Sequence, residues 1–485
     1  MRRNLCVLVV GVCLAGLPLA AFGQAAGSTT SELEALKAQL AAQQEQIRQL
    51  QELLLRQGVA LEALQRHLGM SPATVSLVSL PAPAAETVDA PASTADAALE
   101  QRVEKLEGAV VDAKKENDGL KGRLRSLSFS GDLRIRYEPF FQAGTEQRHR
   151  ERARFRFQVA SKITDELSGG FRLTTGGLDN PQTTNQTFTG FFTRKAIDLD
   201  RFWLTYKPER ASWLTVTAGK FEYPWFRTEL TFDNDLNPEG FAQTLSFNFK
   251  DSPLTNLTLV GFELPFNEVG AGGDSFIWGG QVQTHWKLSE KTRLGLHAAG
   301  LNFRNVDALA AAIGNGSLRP SLGLSNLVRR NASGNIIGYA ERFAYVDLIA
   351  DLRYAWRPRW PVRLTLDFVN NVRASDERSG YWAEFSLGRI DEKGDWLLGY
   401  TLSRIEREAV IGAYNFDDLR SSTNVLNHRW RTAYQVHRNV TLEWTLLIGR
   451  LFNPQDNLNL VPGPFQPLGK DPYLKRMQFD VIYKF

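Results

Sequence analysis

The chain has 485 residues, of which 57 are basic and 53 acidic, giving a formal net charge of +4. This near balance is not the charge footprint of a nucleic-acid-binding protein. Apolar residues make up 43% of the chain, yet no segment after residue 23 has the ~20 unbroken apolar residues of a membrane helix. Such a composition fits either a soluble protein or a β-barrel, whose strands hide hydrophobicity by alternation.

Residues 1–23 have the layout of a secretory signal peptide. Two arginines precede an apolar stretch, Leu5–Leu19, and Ala21-Phe22-Gly23 offers a small-x-small cleavage site. Both cysteines, Cys6 and Cys13, lie inside this segment. We therefore expect a mature protein without cysteine, which excludes disulfides, Fe–S clusters and thiolate zinc sites.

Two segments repeat apolar residues every seven positions, residues 31–69 and residues 99–127. A heptad seam of this length predicts a coiled coil, and the polar seam residue Asn117 is of the kind that fixes register. Residues 70–98, between the two segments, are rich in proline, alanine, serine and threonine, which predicts an extended linker. We expect an oligomerisation stalk, with a longer spacer as the alternative.

At residue 128 the repeat changes from seven residues to two. Apolar and charged residues alternate strictly in Phe129–Tyr137 and again in Arg150–Val159. Strands with one apolar and one charged face are typical of a membrane barrel, in which one row faces lipid and the other faces the lumen. We therefore predict that residues 128–485 form a transmembrane barrel of antiparallel strands, each about ten residues long.

The links between these predicted strands alternate in length. The short links are Thr164–Glu166, Pro208–Ser212, Asp251–Asn256, Ser289–Lys291, Arg357–Trp360, Asp391–Gly394 and Arg438–Asn439. The long links are Gln142–His149, Gly176–Arg194, Glu222–Gly240, Pro265–Asp274, Asn305–Ala340, Arg373–Arg378, Glu406–Asn427 and Asn453–Pro472. Seven short and eight long links predict sixteen strands, with short periplasmic turns and long extracellular loops as in outer-membrane barrels.

The last predicted strand, Met477–Phe485, alternates to the end of the chain. A terminal aromatic residue on an alternating strand resembles the signal by which outer-membrane barrels are recognised for assembly. The alternative is a chance ending, since phenylalanine is common here.

Three sequence elements occur in order around the third long link: Gly219-Lys220-Phe221, Pro224-Trp225, and the run from Asp233 to Gly240. In this order they resemble the putative-porin family of outer-membrane proteins, as does the opening Gly131-Asp132-Leu133-Arg134. The likeness is in residue motifs over about 25 residues, and over the rest of the chain it is only in the order of signal peptide, stalk and barrel. It implies a channel for passive diffusion of small hydrophilic solutes, with the stalk in the periplasm. Trimeric porins with similar stalks further imply three barrels per assembly.

Pore-lining residues follow from the predicted strand faces and from the third long link, which is long enough to fold inward. An arginine wall on the first three strands would comprise Arg134, Arg136, Arg152, Arg154, Arg156 and Arg172, facing Asp233, Asp235 and Glu239 across a constriction. Opposed rows of this kind would set a transverse field that orders water and dipolar solutes. The alternative is that these charges pair with one another. Arg150 and Arg152 could instead lie at the rim and bind lipopolysaccharide phosphates.

Other functions stay open with less support. The stalk could tether the outer membrane to the cell wall, and the arginine rows could serve an anion-selective uptake channel. Asp233-x-Asp235-x-Asn237 begins like a calcium loop, but Pro238 replaces the turn glycine and Thr244 the bidentate glutamate. We predict no cofactor, no metal site, no nucleic-acid partner and no enzymatic activity, since the chain has no Gly-x-Ser-x-Gly element.

Overall fold

The computed structural model describes residues 126–270, 272–454 and 471–485. The predicted signal peptide, first coiled coil, linker and all but the end of the second coiled coil lie outside these residues. Among the residues described, no helix is long and apolar enough to cross a membrane.

The segments in which apolar and polar residues alternate form β-strands, as predicted. In the described part of the chain one sheet has seventeen strands, and one of these is the two-residue segment Gln186–Thr187, which leaves sixteen barrel strands. They are β1 Leu127–Phe141, β2 Arg148–Lys162, β3 Leu167–Thr174, β4 Asp198–Tyr206, β5 Leu214–Lys220, β6 Glu239–Asn248, β7 Leu254–Asn267, β8 Ser275–Lys287, β9 Thr292–Arg304, β10 Ala344–Arg357, β11 Trp360–Asn371, β12 Ser379–Gly388, β13 Trp396–Ile405, β14 Val425–His437, β15 Val440–Leu451 and β16 Leu474–Lys484.

Each strand pairs antiparallel with the next, and β16 pairs with β1. The sheet is therefore a closed sixteen-strand barrel, as predicted. Links of two to seven residues alternate along the chain with links of six to 39 residues. The predicted strand count is confirmed, and β1 begins within one residue of the predicted start of the barrel.

Closure brings the chain terminus onto the first strand. The backbone N–H of Gly131 donates to Phe485 O at 2.9 Å, and the N–H of Phe485 donates to Gly131 O at 3.1 Å. Inside the barrel at the same seam, Arg136 donates from Nε and Nη2 to the two oxygens of Asp480 at 2.8 and 2.9 Å. Because every strand has two neighbours, the barrel presents no unpaired edge to the membrane.

The two faces of β1 show the alternation. Leu133, Ile135 and Tyr137 are 41–44% exposed on the outside, whereas Asp132 and Arg136, on the inside, are at most 6% exposed. Outward side chains are thus available to lipid and inward side chains meet protein in the lumen.

Two long loops fold into the barrel: the inward loop, residues 221–238, and the plug loop, residues 406–424. Leu230, Phe232 and Ile411 are at most 2% exposed and belong to one apolar cluster that continues onto the barrel wall. The loop 305–343, which contains helix α1 (Asp307–Gly314) and a small hairpin (Val328–Arg330, Ile336–Tyr339), contributes to the same cluster. The interior therefore has a folded core of its own.

Replacing Gly131 by valine tests the closing seam. A Cβ at this position would lie 2.2 Å from Arg156 O on β2 and 2.7 Å from the Phe485 ring at the seam, so a side chain there pushes β1 away from both. We expect Gly131→Val to destabilise the barrel by about 1–3 kcal/mol, measured as a lower midpoint of denaturant unfolding. Leu133→Val, outward on the same strand, is the control, and equal effects of the two changes would contradict the proposed role of the seam.

Candidate functional site: a constriction within the barrel

Two glycines mark the entry and exit of the inward loop. Gly219 and Gly240 pair across β5 and β6, and both have positive φ angles, 114° and 134°. A Cβ on either would lie 2.2 Å from a carbonyl oxygen of the neighbouring strand. Only glycine adopts this backbone at so close an approach, so these residues of the sequence motif redirect the chain into the lumen.

The inward loop is fixed to the barrel wall on β8 and β11. The Phe226 N–H donates to Gln281 Oε1 at 2.8 Å, and Gln281 Nε2 donates back to Phe226 O at 2.7 Å. The Thr228 hydroxyl donates to Asp367 on β11. Because a buried loop must have partners for its backbone, these side chains set the position of the loop.

Asp233 joins the inward loop to the plug loop. Its carboxylate accepts the backbone N–H groups of Asp235 at 2.7 Å and Asp417 at 3.1 Å, and its own N–H donates to Tyr414 O at 2.7 Å. Burial, with Asp417 and Asp235 nearby, raises the pKa of Asp233 well above its usual range. The two loops therefore pack as one unit.

The arginine wall on β2 faces this unit. Arg154 and Arg156 both bind Asp132, at 2.7 and 2.6 Å, and Arg156 also lies 3.4 Å from Asp235 of the inward loop. Burial opposes ionisation of Asp235, but Arg154 and Arg156 hold its pKa well below the usual range. Here the acidic loop residue pairs with the arginine wall directly, which is one of the two arrangements that the sequence left open.

A second set of charges lies on β12 to β15. Arg429 contacts Glu229 of the inward loop at 2.6 Å and Glu384 at 3.0 Å, and Arg431 binds Glu443 at 2.7 Å. The Arg429 guanidinium also lies over the Trp382 ring, 5.1 Å from its centre. Both sides of the lumen therefore carry arginine and carboxylate together.

Between these walls is a polar cavity of about 510 Å³. Its lining takes side chains from the wall, the inward loop and the plug loop. Of the predicted site residues, Arg134, Arg136, Arg154, Arg156, Asp233 and Asp235 line it. A cavity with this lining inside an outward-apolar barrel is suited to admitting hydrophilic solutes.

Residues 135–318 match the family model described as "Putative porin". This span runs from β1 past β9 and includes the inward loop with its two glycines. The resemblance to the putative-porin family is confirmed. No curated protein matches the sequence.

Solved outer-membrane porins are similar to this chain at low identity. OprB of Pseudomonas putida, at high pH, has 12% identity and a TM-score of 0.44, covering 77% of this chain and 97% of its own. OmpF of Salmonella typhi, in complex with daunomycin, has 10% identity and a TM-score of 0.43, with coverages of 74% and 97%. The trimer form of Vibrio cholerae OmpT has 9% identity and a TM-score of 0.41, with coverages of 74% and 99%.

Three residues predicted to line the pore have other surroundings in this barrel. Arg152 donates to Thr183 Oγ1 at 3.2 Å, Arg172 binds Asp200, and Glu239 binds Lys220 at 2.7 Å. None of the three is among the residues that line the 510 Å³ cavity. Arg152 and Arg172 are buried among their own partners, whereas the Glu239 side chain is 57% exposed.

The plug loop is the part of the site that sequence reasoning missed. Its buried backbone is held by amide side chains from other loops. Gln182 donates to Gly412 O at 3.1 Å and Asn415 O at 2.8 Å, and Asn326 donates to Arg407 O at 2.6 Å and Val410 O at 2.8 Å. The apolar run Ala409-Val410-Ile411 inside this long link was the available signal.

Gln281→Ala tests the anchor of the inward loop. The change leaves the N–H and C=O of Phe226 without their partner, at a cost of about 1–3 kcal/mol for each buried group. We expect a more mobile loop and a larger, noisier single-channel conductance in planar bilayers. Gln243→Ala, at an exposed glutamine on β6, is the matched control, and the anchor proposal fails if both variants keep the wild-type conductance.

Protonation of the plug loop gives a second prediction. Burial raises the pKa of Asp417 to about 7, with Asp418 adding to the effect, and burial raises the pKa of Glu408 to about 7. An acid with a raised folded-state pKa stabilises the fold fully below its unfolded pKa, and this stability is lost as pH rises through the folded value. Asp235 and Asp418 have lowered pKa values and stay ionised from pH 5 to 8.

We therefore expect the plug loop to loosen between about pH 5 and pH 8, with amide exchange in residues 406–424, corrected for the intrinsic rate, faster at the higher pH. In the double variant Asp417→Asn, Glu408→Gln this pH dependence should become weaker, and the remainder should come from Asp233, whose pKa is also raised. Exchange that depends on pH equally in the variant and the wild type would rule these two carboxyls out as its cause.

Proposed function

We propose that the protein is an outer-membrane porin through which small hydrophilic solutes diffuse passively. The observation that carries this proposal is the polar cavity of about 510 Å³, lined by charged side chains, inside a closed barrel with an apolar exterior. The inward loop and the plug loop would together set the size of the solutes. Neither the fold nor the cavity leads us to propose an enzymatic activity.

We further propose a homotrimer, with the predicted coiled-coil stalk in the periplasm. The trimer form of Vibrio cholerae OmpT is a precedent from a different sequence, and the support from this chain is the heptad repeat. The rival function as a tether to the cell wall depends on that stalk, which lies outside the described residues.

We also propose a contact with lipopolysaccharide. Arg150 donates to Glu138 at 2.7 Å and lies over Phe140, so its neighbour Arg148 is the arginine that we propose as a contact for lipopolysaccharide phosphate.

A preference for anions is the second candidate. Eight arginines and seven carboxyl groups line the cavity, and the pKa values of two of these carboxyls, Asp233 and Asp417, are raised. Arg227 donates to Phe232 O at 2.5 Å and to Asn234 Oδ1 at 3.0 Å rather than to a carboxylate. The resulting excess of positive charge would favour anions in the constriction.

Planar-bilayer recordings of the purified protein test both candidates. We expect three equal current steps per insertion and, in a salt gradient, a reversal potential that favours anions. In Arg134→Gln, Arg227→Gln the anion-to-cation permeability ratio should fall roughly twofold to fivefold, the effect of up to about 1 kcal/mol of lost attraction. Arg330→Gln, on the exposed hairpin of loop 305–343, is the control.

The outcomes separate the proposals. Conductance with equal permeability to anions and cations would support the porin proposal and contradict the anion preference. A folded protein that inserts without conductance would remove the porin proposal itself.

A further inference from the structure

His297, on β9, is a buried histidine without polar partners. Its side chain faces into the barrel, the residue is 3% exposed, and neither ring nitrogen has a hydrogen-bond partner. One face of the ring stacks on Phe226 of the inward loop, with ring centres 4.3 Å apart. A buried imidazole normally donates or accepts a hydrogen bond at one nitrogen or both. Both nitrogens of His297 lack such a partner, so the ring can bind a ligand that is not part of the protein.

A notch at Gly295 lies between His297 and a second histidine. Gly295 pairs with His285 of β8 on one side and with Asp351 of β10 on the other. A Cβ built on Gly295 would lie 2.8 Å from His297 Nε2 and 3.5 Å from His285 Nδ1. Because glycine has no side chain, the two ring nitrogens face one empty position.

The spacing of the two rings suits a shared metal ion. An ion about 2.0–2.1 Å from one nitrogen of each ring, in tetrahedral geometry, places the two ring centres roughly 5 Å apart. The observed separation of the His285 and His297 ring centres is 5.4 Å, with the ring planes inclined at 70°. Small side-chain rotations would bring both nitrogens to coordination distance.

The surroundings allow a cation to enter. His285, Gly295 and Asp351 line a cavity of about 370 Å³, from which the notch can be reached. The Arg353 and Arg363 guanidiniums both bind Asp351, at 2.7 and 2.5 Å, so their charges are partly neutralised. Lys287 binds Glu290 at 2.5 Å, and Arg293 is the remaining cation of the lining.

We propose that His285 and His297 form a binding site for a divalent transition-metal ion, with Gly295 providing the space for it. Zn²⁺, Ni²⁺ and Cu²⁺ bind well to imidazole nitrogen, whereas the hard cations Ca²⁺ and Mg²⁺ prefer oxygen ligands. Two protein ligands leave further coordination positions for water from the 370 Å³ cavity. The proposal is independent of solute transport, although Phe226 would couple the site to the inward loop.

Titration with Cu²⁺ tests the site on tag-free, metal-stripped, full mature protein in detergent. Electron paramagnetic resonance should show about one Cu²⁺ per chain with hyperfine coupling from imidazole nitrogen. Gly295→Ala keeps both histidines but fills the notch, and it should weaken Cu²⁺ binding by at least about tenfold. His285→Gln should do the same, and because its side chain lies at an accessible cavity wall, it should not disturb the fold.

His428→Gln is the matched control. This histidine lies on the outer face of β14 beside Trp430 and already bonds through Nδ1 to the Tyr400 hydroxyl at 2.8 Å, so Cu²⁺ binding at the notch should be unchanged without it. Nitrogen-coupled Cu²⁺ that survives in both Gly295→Ala and His285→Gln overturns the proposal, as does its absence from the wild type. If Gly295→Ala alters the circular dichroism spectrum, His285→Gln decides alone.

Discussion

The rest of the structure depends on the pairing between the first and last strands. A backbone in lipid cannot leave N–H and C=O groups without partners, because no water is present to bind them. The two hydrogen bonds between Gly131 and Phe485, with the register that follows along β1 and β16, remove the edges that an open sheet would expose. Once the sheet is closed, alternation alone sends one row of side chains to lipid and the other to the lumen.

Closure also creates an interior that must be filled. The inward and plug loops bring apolar residues such as Phe232, Ile411 and Tyr414 into the barrel, and their irregular backbone needs polar partners there. Gln182, Asn326 and Gln281 supply these partners. The lumen is thus partly protein core and partly polar cavity, and the boundary between the two is set by how the loops are anchored.

Charge pairing in the lumen specifies position more than it stabilises. A buried ion pair loses most of its attraction to the cost of desolvation, yet breaking it leaves an expensive unpaired charge. Asp235 between Arg154 and Arg156, and Glu229 against Arg429, therefore hold the inward loop in one place. At Asp233 and Asp417, where one loop meets the other, burial outweighs the nearby charges, and the pKa of each carboxyl is raised.

The amino-acid sequence by itself determined the barrel: sixteen strands, the alternation of short and long links, and the two faces of β1 follow from a period of two interrupted by turn residues. It also marked the inward loop, because Gly219 and Gly240 leave a recognisable motif. The fate of the plug loop was decided by tertiary structure, since Val410 and Ile411 have the same apolar character whether they face lipid, a partner or a core. Tertiary structure also decided the contact between Arg156 and Asp235 and the notch that His285 and His297 share. Periodicity fixes which face of a strand a residue occupies, whereas these contacts depend on strand register and on the paths of loops that close over long distances in the chain.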